Sequence, residues 1–242
     1  MTITTIVFDS SLHLSQELTS KQLKHPAFIN EGRRRNKPVG HQLIDLAVHH
    51  SGLFPAERTY KGRPDIIHQI MLQHCFNLVN QTYSELEKQE LNIPLRLWIH
   101  RRVQKTEEMF EVFPDWRIPV NYLRFKGLME KLLIEKSLTA PPVVIHPKTL
   151  ESFINEIRPE KIILWSRTGK EKSWKTIMKE SLYYLSEKDK HLIWLIGGFQ
   201  KGEPTDQVMK LANEQNQLIS KGIPAWKVFG TLNTLIEYGM HL

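Results

Sequence analysis

The stretch KIILWSRTGKEKSWKTIMKESLYYLSEKDKHLIWLIGG, residues 161–198, decides the fold class. Two short apolar runs, Lys161–Trp165 and Leu192–Ile196, have the length and composition that are typical of buried strands. Between them, apolar side chains recur at helical spacing from Trp174 to Leu185. A helix that links two buried strands is typical of a crossover between parallel neighbours. The stretch therefore predicts an α/β fold with a largely parallel sheet.

Segments on both sides of this stretch continue the alternation of strands and helices. The chain opens with a β-branched run, Thr2–Phe8, and residues 95–100 alternate apolar and polar side chains with the period of a strand. Apolar side chains recur at helical spacing after Asp65 and after Asn121, which is a plausible helix cap. They do so again from about Ala225 to Tyr238. We predict one α/β domain over residues 1–242.

Composition excludes several classes of protein. The chain has 242 residues, of which 40% are hydrophobic and 24% charged, as in an ordinary globular protein with a sizeable core. Cys75 is the single cysteine, which excludes an intramolecular disulfide and a cysteine-rich zinc site. No apolar run approaches the roughly 18 residues of a membrane span. We expect a reducing intracellular compartment and no membrane partner.

The positive charge of the chain is unevenly distributed. The net charge is +7, and residues 21–63 contain nine basic against three acidic side chains. Such a patch could attract phosphate backbones, and a solvated basic loop is an equal alternative. Residues from about 25 to 61 are rich in Arg, Gly, Pro and His, which predicts a long, partly irregular segment.

The first candidate site is GRPDIIH, residues 62–68. Asp65 opens a helix, where its carboxylate can cap amide groups or hold the guanidinium of Arg63 in one orientation. A capped helix with an exposed arginine is the alternative. His68 and His74 are interpreted as packing or surface histidines, and no spacing indicates a metal site.

The second candidate surrounds two arginines that are seven residues apart. Arg117 and Arg124 lie on roughly one side if the turn between them leads into a helix. Guanidinium groups suit phosphate oxygens and base edges. Trp116 and Tyr122 could stack on bases, although core packing is favoured for at least one of them.

Three further loops follow the predicted strands. IGGFQKG (196–202) places glycines after an apolar strand, Thr168-Gly169 follows another, and ISKGIPA (219–225) precedes the last helix. Open α/β sheets bind ligands at the carboxyl ends of their strands. The loops lack the GxGxxG spacing and the GK[ST] ending, so nicotinamide and nucleoside-triphosphate sites are poorly supported.

Five motifs in one order give the sequence a family resemblance. They are GRPDIIH (62–68), RIPVNYLRFKGLMEKLL (117–133), SRTGK (166–170), IGGFQKG (196–202) and ISKGIPAW (219–226). They cover the chain from about residue 60 to the end, and the first 60 residues match mainly through the opening strand. In these motifs the sequence resembles the ribosome-biogenesis methyltransferases that methylate N1 of a pseudouridine in small-subunit ribosomal RNA, a branch of the SPOUT class.

The resemblance implies a SPOUT-like fold with a C-terminal trefoil knot, in which residues from about 160 to 242 form the knotted, cofactor-binding part. It implies S-adenosyl-L-methionine as methyl donor, a homodimer, and small-subunit rRNA as substrate, with ribosomal proteins or assembly factors as further partners. The implied location is cytoplasmic, or nucleolar if the source is eukaryotic.

The resemblance also implies roles for individual residues. Arg63, Arg117 and Arg124 would contact RNA, and Asp65 would hold Arg63, so that Arg63 and Asp65 form the catalytic pair. We favour an orienting role for Asp65, because a carboxylate held by an arginine is a poor base. The family often has a third RNA-binding arginine where this chain has Val120, and Asn121 or Lys126 is the nearest substitute. The cofactor would lie against Thr168, Gly197, Gly202 and the loop of Ile219, Ser220, Lys221, Gly222, Ile223 and Pro224, largely through backbone groups.

Two other functions are compatible with the same residues. A non-catalytic factor that binds and shapes pre-rRNA would also carry the basic segment, and Val120 favours it. An enzyme that acts on another RNA nucleotide, such as a ribose methyltransferase, is the third hypothesis. Cofactor binding separates the first alternative from the methyltransferase.

Overall fold

A computed structural model describes residues 2–81, 94–187 and 189–240. Its strands are β1 (Thr2–Phe8), β2 (Leu95–Val103), β3 (Thr106–Val112), β4 (Ser137–Thr139), β5 (Pro142–Val144), β6 (His146–Pro147), β7 (Lys161–Glu171), β8 (His191–Gly197) and β9 (Glu214–Gln217). Its α-helices are α1 (Ser20–Leu23), α2 (Pro26–Arg35), α3 (Leu46–His49), α4 (Pro64–Cys75), α5 (Leu78–Gln81), α6 (Tyr122–Glu135), α7 (Leu150–Ile157), α8 (Trp174–Ser186), α9 (Asp206–Leu211) and α10 (Ala225–Met240). None of the described helices is long and apolar enough to cross a membrane.

The predicted strand–helix–strand unit is confirmed. β7 runs parallel to β8, with Lys161 opposite Leu192 and Trp165 opposite Ile196, and α8 connects them. In the described part of the chain, the main sheet has seven strands in the order β6-β3-β2-β1-β8-β7-β9. β1 is parallel to β2 and β8, and β7 is parallel to β8 and β9, whereas β3 is antiparallel to β2 and β6. The fold is therefore α/β with a mostly parallel sheet, as predicted.

Both faces of the sheet are buried. Along β1, Ile3 and Val7 belong to a large apolar cluster, and Ile6 and Phe8 belong to a second cluster. Alternate side chains of a strand point to opposite faces, so the two clusters lie on opposite sides of the sheet. Helices α4, α6, α8 and α10 contribute to the first cluster, and α7 and α9 contribute to the second. Burial on both faces explains why the central strands are continuous apolar runs.

β7 continues past the predicted end at Trp165 because it pairs with β9 twice. Both Trp165 and Lys170 lie opposite Asn216, so residues 166–169 protrude from the ladder at the carboxyl edge of the sheet. A Cβ added at Gly169 would lie 2.4 Å from a backbone atom of Asn216. Glycine at this position therefore lets the protruding loop return to the sheet.

The basic segment of residues 25–61 is more regular than the sequence indicates, and fewer of its cations are free to bind a phosphate backbone. It contains the ten-residue helix α2, and its apolar side chains form a small core of their own, which comprises Leu18, Phe28, Ile44 and Leu53. Several of its cations are paired, since Arg34 binds Glu31, Arg35 and Lys37 bind Glu130, and Lys61 binds Glu57. Lys21, Lys24 and Arg33 remain exposed. Of the cations in residues 21–63, the exposed ones are therefore those available to a phosphate backbone.

His49, at the end of α3, is buried and hydrogen-bonded as a neutral ring, and we therefore expect the fold to lose stability in acid. Its Nδ1 accepts the backbone N–H of Asp45 at 3.0 Å, and its Nε2 contacts Oε1 of Gln42 at 3.1 Å, so the neutral ring satisfies both partners. Burial lowers the pKa of His49 to about 4. The folded state thus disfavours the proton that the unfolded chain binds below about pH 6.5, and stability falls as the pH drops from there to about 4.

We expect the free energy of unfolding of His49→Gln to fall less steeply than that of the parent as the pH is lowered. The difference should reach up to ~3 kcal/mol. Urea unfolding between pH 7 and 4.5 measures the slope. His50→Gln, at the adjacent exposed histidine, controls for the loss of one imidazole. Equal slopes in the parent and in His49→Gln would contradict the assignment.

Candidate active site

A cleft of about 420 Å³ opens at the carboxyl edge of the sheet. Its walls include residues at the ends of parallel strands: Phe8 ends β1, Trp165 ends the regular part of β7, Gly197 ends β8 and Gln217 ends β9. The first turn of α10 closes the cleft through Ala225, Trp226 and Val228. The strand-end loops that the sequence singled out therefore meet in one place.

The cleft is apolar inside and polar at its rim. Ile66, Ile196, Leu218, Ile223 and Trp226 supply apolar wall. Its polar lining residues include Arg63, Arg167, Gln200, Lys201, Glu203 and Lys221. An apolar pocket with a few convergent polar groups is the usual form of a small-molecule site.

The glycine turn after β8 shapes one wall. A Cβ added at Gly197 would lie 2.7 Å from the ring of Phe199, which itself packs edge-on against Phe8 with ring centroids 5.8 Å apart. Gly202 has a φ of 126°, a conformation that L side chains rarely adopt. Glycine at these two positions therefore leaves room for the Phe199 ring and permits the backbone path of the turn.

Most of the cofactor residues expected from the sequence line this cleft. Those that do are Gly197, Gly202, Ile219, Lys221, Gly222, Ile223 and Pro224. Thr168 and Ser220 are not among the lining residues. Thr168 is exposed, and its hydroxyl oxygen accepts a hydrogen bond from Nε2 of Gln215 at 2.9 Å.

Arg63 faces the same cleft and is held by Asp65. Its Nε donates to Oδ1 at 2.8 Å and its Nη2 donates to Oδ2 at 2.7 Å, a bidentate pair across the start of α4. This hydrogen bonding raises the pKa of Arg63. Both carboxylate oxygens of Asp65 are engaged with the guanidinium. The observed geometry thus has Asp65 orienting the arginine.

The turn before Arg63 is fixed by the segment around Asp45. Gly62 has a φ of 82°, and its carbonyl accepts the backbone N–H of Leu46 at 2.8 Å. Asp45 caps α3 by accepting the backbone N–H of Ala47 at 3.0 Å. The start of α4 and the start of α3 are therefore joined through the backbone, which determines where the arginine side chain leaves the chain.

A buried ion pair supports this turn from α6. The ammonium of Lys126 donates to Oδ2 of Asp45 at 2.9 Å, and the hydroxyl of Tyr122 donates to the same oxygen at 3.0 Å. Burial alone would raise the pKa of Asp45. The hydrogen bond and the charge of Lys126 outweigh this effect, so the pKa is lowered and the carboxyl stays ionised. Burial and the charge of Asp45 raise the pKa of Tyr122. Lys126 is therefore engaged inside the protein and does not replace an RNA-binding arginine.

The segment of residues 117–124 lies beside α4. His68 donates its Nε2–H to the carbonyl of Pro119 at 2.8 Å and stacks on Phe125 with ring centroids 4.3 Å apart. Burial lowers the pKa of His68, which suits a neutral packing histidine, as the sequence indicated. These contacts join the GRPDIIH motif to the start of α6.

The two arginines of this segment are both exposed. Arg117 lies in the loop before α6 and Arg124 lies in its first turn, where its backbone N–H is capped by the side chain of Asn121. Val120, where the resemblance leads us to expect a third arginine, is 71% exposed. Asn121 serves as the predicted cap, and Trp116 packs in the core.

Some residues of the site carry no local sequence signal. Asp45, Tyr122 and Lys126 meet across about 80 positions of the chain, which spacing within one element does not indicate. Arg167 and Glu203 bond across the cleft rim, and Arg167 stands in the SRTGK motif without an assigned role. Among the described residues, no group of three His, Cys, Asp or Glu side chains could hold a metal ion.

Comparisons with known proteins point to one family of methyltransferases. The family model described as EMG1/NEP1 methyltransferase matches residues 6–237. Relatives named "Ribosomal RNA small subunit methyltransferase Nep1" include one from Staphylothermus marinus, 30% identical over 99% of this chain and 96% of that protein. Another, from Pyrococcus furiosus, is 31% identical over 96% of this chain and 95% of that protein.

A solved structure supports the fold. Archaeoglobus fulgidus Nep1, crystallised with S-adenosylhomocysteine, matches with a TM-score of 0.75 over 100% of both chains at 22% identity. The family match over nearly the whole chain means that the protein belongs to the EMG1/NEP1 methyltransferase family.

Proposed function

We propose that this chain methylates N1 of a pseudouridine in small-subunit ribosomal RNA, with S-adenosyl-L-methionine as the methyl donor. The observation that carries the proposal is that Arg63, held by Asp65, lines the same cleft as the glycine turn of β8 and the loop of residues 219–224. Membership of a methyltransferase family and the names of the relatives support the reaction class.

The residues of the cleft fit such a donor. S-adenosyl-L-methionine combines a flat adenine with a charged amino-acid end, and the cleft combines apolar walls with a charged rim. Its volume of about 420 Å³ lies within the range of small-molecule sites. Glycine at position 197 leaves room for the ring of Phe199, and both residues line the cleft. The A. fulgidus protein bound to S-adenosylhomocysteine supports the same choice of cofactor.

The chemistry requires positioning and charge stabilisation more than a strong base. When bound, the donor supplies a methyl group on a sulfonium, which makes that carbon electrophilic. Transfer forms the N1–carbon bond, breaks the carbon–sulfur bond and releases the N1 proton to water. Arg63 stabilises the negative charge that develops on the base, and Asp65 keeps the guanidinium aimed at it.

Exposed cations next to the cleft serve the RNA. Arg117 and Arg124 are free to contact phosphates or base edges, and the bond from His68 to Pro119 keeps their segment beside Arg63. The apolar Val120 leaves one of the family's arginine contacts unmade. The small-subunit location of the target follows from the names of the relatives.

The homodimer, the single domain over residues 1–242 and the trefoil knot over about 160–242 stay predictions. Exposed apolar side chains on two packed helices support a second copy of the chain: Trp174 on α8 is 55% exposed, and Tyr238 on α10 is 59% exposed. Sedimentation velocity of the purified protein tests this, with a dimer as the expected result.

The proposed reaction is tested with labelled S-adenosyl-L-methionine and a pair of RNA hairpins that differ by pseudouridine or uridine at one position. We expect label in the pseudouridine hairpin alone. Equal labelling of both would contradict N1 of pseudouridine as the target. No labelling, together with no heat of binding for the cofactor in calorimetry, would favour the non-catalytic assembly factor.

Replacing Gly197 by valine should strongly weaken cofactor binding while leaving RNA binding intact. The added side chain meets the ring of Phe199, which cannot retreat far because it packs on Phe8, so bulk enters the cleft. We expect the affinity for S-adenosylhomocysteine to fall at least about 100-fold, since overpacking typically costs 1–3 kcal/mol and lost ligand contacts add to it.

The control for this variant is Gly127→Ala on α6, where no described atom lies within 4 Å of the added Cβ. Calorimetry with S-adenosylhomocysteine and gel shift with the hairpin measure the two affinities. Unchanged cofactor affinity in Gly197→Val would show that the cofactor does not lie against this turn.

A further inference from the structure

An ion pair at the rim of the cleft joins the loops that form it. Nε of Arg167 donates to Oε1 of Glu203 at 2.5 Å, and Oγ1 of Thr168 donates to Oε2 of Glu203 at 3.4 Å. These bonds connect the loop that protrudes from β7 to the loop that follows β8. The third loop is also close, because a Cβ at Gly222 would lie 3.7 Å from Cβ of Arg167 and 3.8 Å from its Cδ.

The Arg167–Glu203 pair still has exposed hydrogen-bonding groups that a ligand could contact. Both Arg167 and Glu203 line the cleft, and their side chains are 66% and 37% exposed. Within the described residues, Nε is the atom of this guanidinium that has an acceptor, while its two Nη groups have none. An exposed ion pair adds little to the stability of a fold, so its place at a ligand cleft calls for a different explanation.

We propose that Arg167 and Glu203 recognise the amino-acid end of the methyl donor. This inference rests on the proposed function, because it takes S-adenosyl-L-methionine as the ligand of the cleft. The Nη groups of Arg167 bind the α-carboxylate, a planar acceptor that matches the guanidinium fork. The carboxylate of Glu203 accepts hydrogen bonds from the α-ammonium. Two opposite charges at the rim thus meet two opposite charges on one ligand.

The distribution of polarity in the cleft sets this orientation. Burying an amino-acid zwitterion among Ile196, Leu218 and Ile223 would leave its charges unsolvated, which is costly. The adenine fits that apolar wall, and the charged end remains at the rim, where water and the ion pair satisfy it. Lys221 and Lys201 also line the cleft and are competing cations for the carboxylate.

The test compares two ligands that differ only in this end. S-adenosylhomocysteine carries the amino-acid group, and 5′-methylthioadenosine has a methyl group in its place. Calorimetry on the full chain should show that Arg167→Ala weakens S-adenosylhomocysteine about 10- to 100-fold, the usual value of a charge-assisted hydrogen bond. Binding of methylthioadenosine should change less than about twofold. Arg167→Lys should recover part of the loss, and Glu203→Gln should weaken S-adenosylhomocysteine about 10-fold, again without effect on methylthioadenosine.

Lys221→Ala tests a competing assignment, because it removes another cation of the same cleft. The proposal would be overturned if Lys221→Ala, but not Arg167→Ala, lost the preference for S-adenosylhomocysteine over methylthioadenosine. Equal affinity of the parent for the two ligands would also overturn it. A parent chain that binds neither ligand would instead overturn the proposed function. Since both side chains are exposed, circular dichroism melts of the variants should match the parent, and this confirms that the variants fold.

Discussion

Arg63→Ala should lower methylation of a pseudouridine-containing hairpin by about 10²- to 10³-fold, the effect of removing one donor that stabilises developing charge. The guanidinium lines the cleft and is held in one orientation by two hydrogen bonds, so its loss removes a preorganised charge that water does not replace. Transfer of label from the donor, measured as kcat/KM for the hairpin, gives the result.

Cofactor affinity should remain nearly intact in Arg63→Ala. Arg63 is proposed to act on the RNA base and not on the donor, so calorimetry with S-adenosyl-L-methionine should agree with the parent within a few fold. Arg63→Lys should not restore the rate, because an ammonium does not form the bidentate pair with Asp65.

Asp65→Asn should cause a smaller loss of rate, about 10- to 100-fold, because the guanidinium remains but loses its charged partner. Arg34→Ala is the matched control, since Arg34 is an exposed arginine paired with a carboxylate away from the cleft. A rate for Arg63→Ala within a few fold of the parent would remove Arg63 from the active site.

Glu130→Ala should cost about 3–5 kcal/mol of unfolding free energy, the usual result of breaking a buried ionic network by removing one partner. Glu130 on α6 is 1% exposed, and its carboxylate accepts hydrogen bonds from Arg35 at 2.6 and 2.8 Å, from Lys37, and from the backbone N–H of Leu43 at 3.0 Å. Its loss leaves these donors unpaired and releases the basic segment from α6.

Glu135→Ala supplies the comparison on the same helix. Its carboxylate lies 3.9 Å from Lys131, and both side chains are more than half exposed, so we expect a cost of about 0–1 kcal/mol. Urea unfolding at one fixed protein concentration measures both variants, because self-association would add to apparent stability. Costs of similar size for the two would show that the network around Glu130 is not a stabilising element.

Regular elements of this protein could be predicted from short stretches of sequence. β1 has the predicted bounds, and α8 extends one residue beyond the predicted Leu185. Periodicity suffices for these, since each is a continuous run with one or two buried faces. It fails for β9, which is polar and four residues long, and for the end of β7, because both depend on mutual pairing.

The basic segment shows the limit of charge counting. Its excess of cations is a property of composition, but Arg35 and Lys37 pair with Glu130, about 95 residues away along the chain. A count of charges over neighbouring positions does not include a carboxylate so far along the chain. Whether a cation is free to bind a ligand depends on such partners. Exposure is likewise decided by the tertiary structure at Val120, whose side chain is 71% exposed.

By itself the sequence determined the α/β class, the crossover of residues 161–198 and the motifs of the site, because periodicity and residue type are local properties. Only the tertiary structure decided that Arg63 faces the glycine turn of β8, that Lys126 is buried against Asp45, and that Arg167 reaches Glu203. The reason is physical: parallel strands bring their carboxyl ends to one edge of the sheet, so residues far apart in the chain meet there. The partners they meet determine which charges are free to bind a ligand.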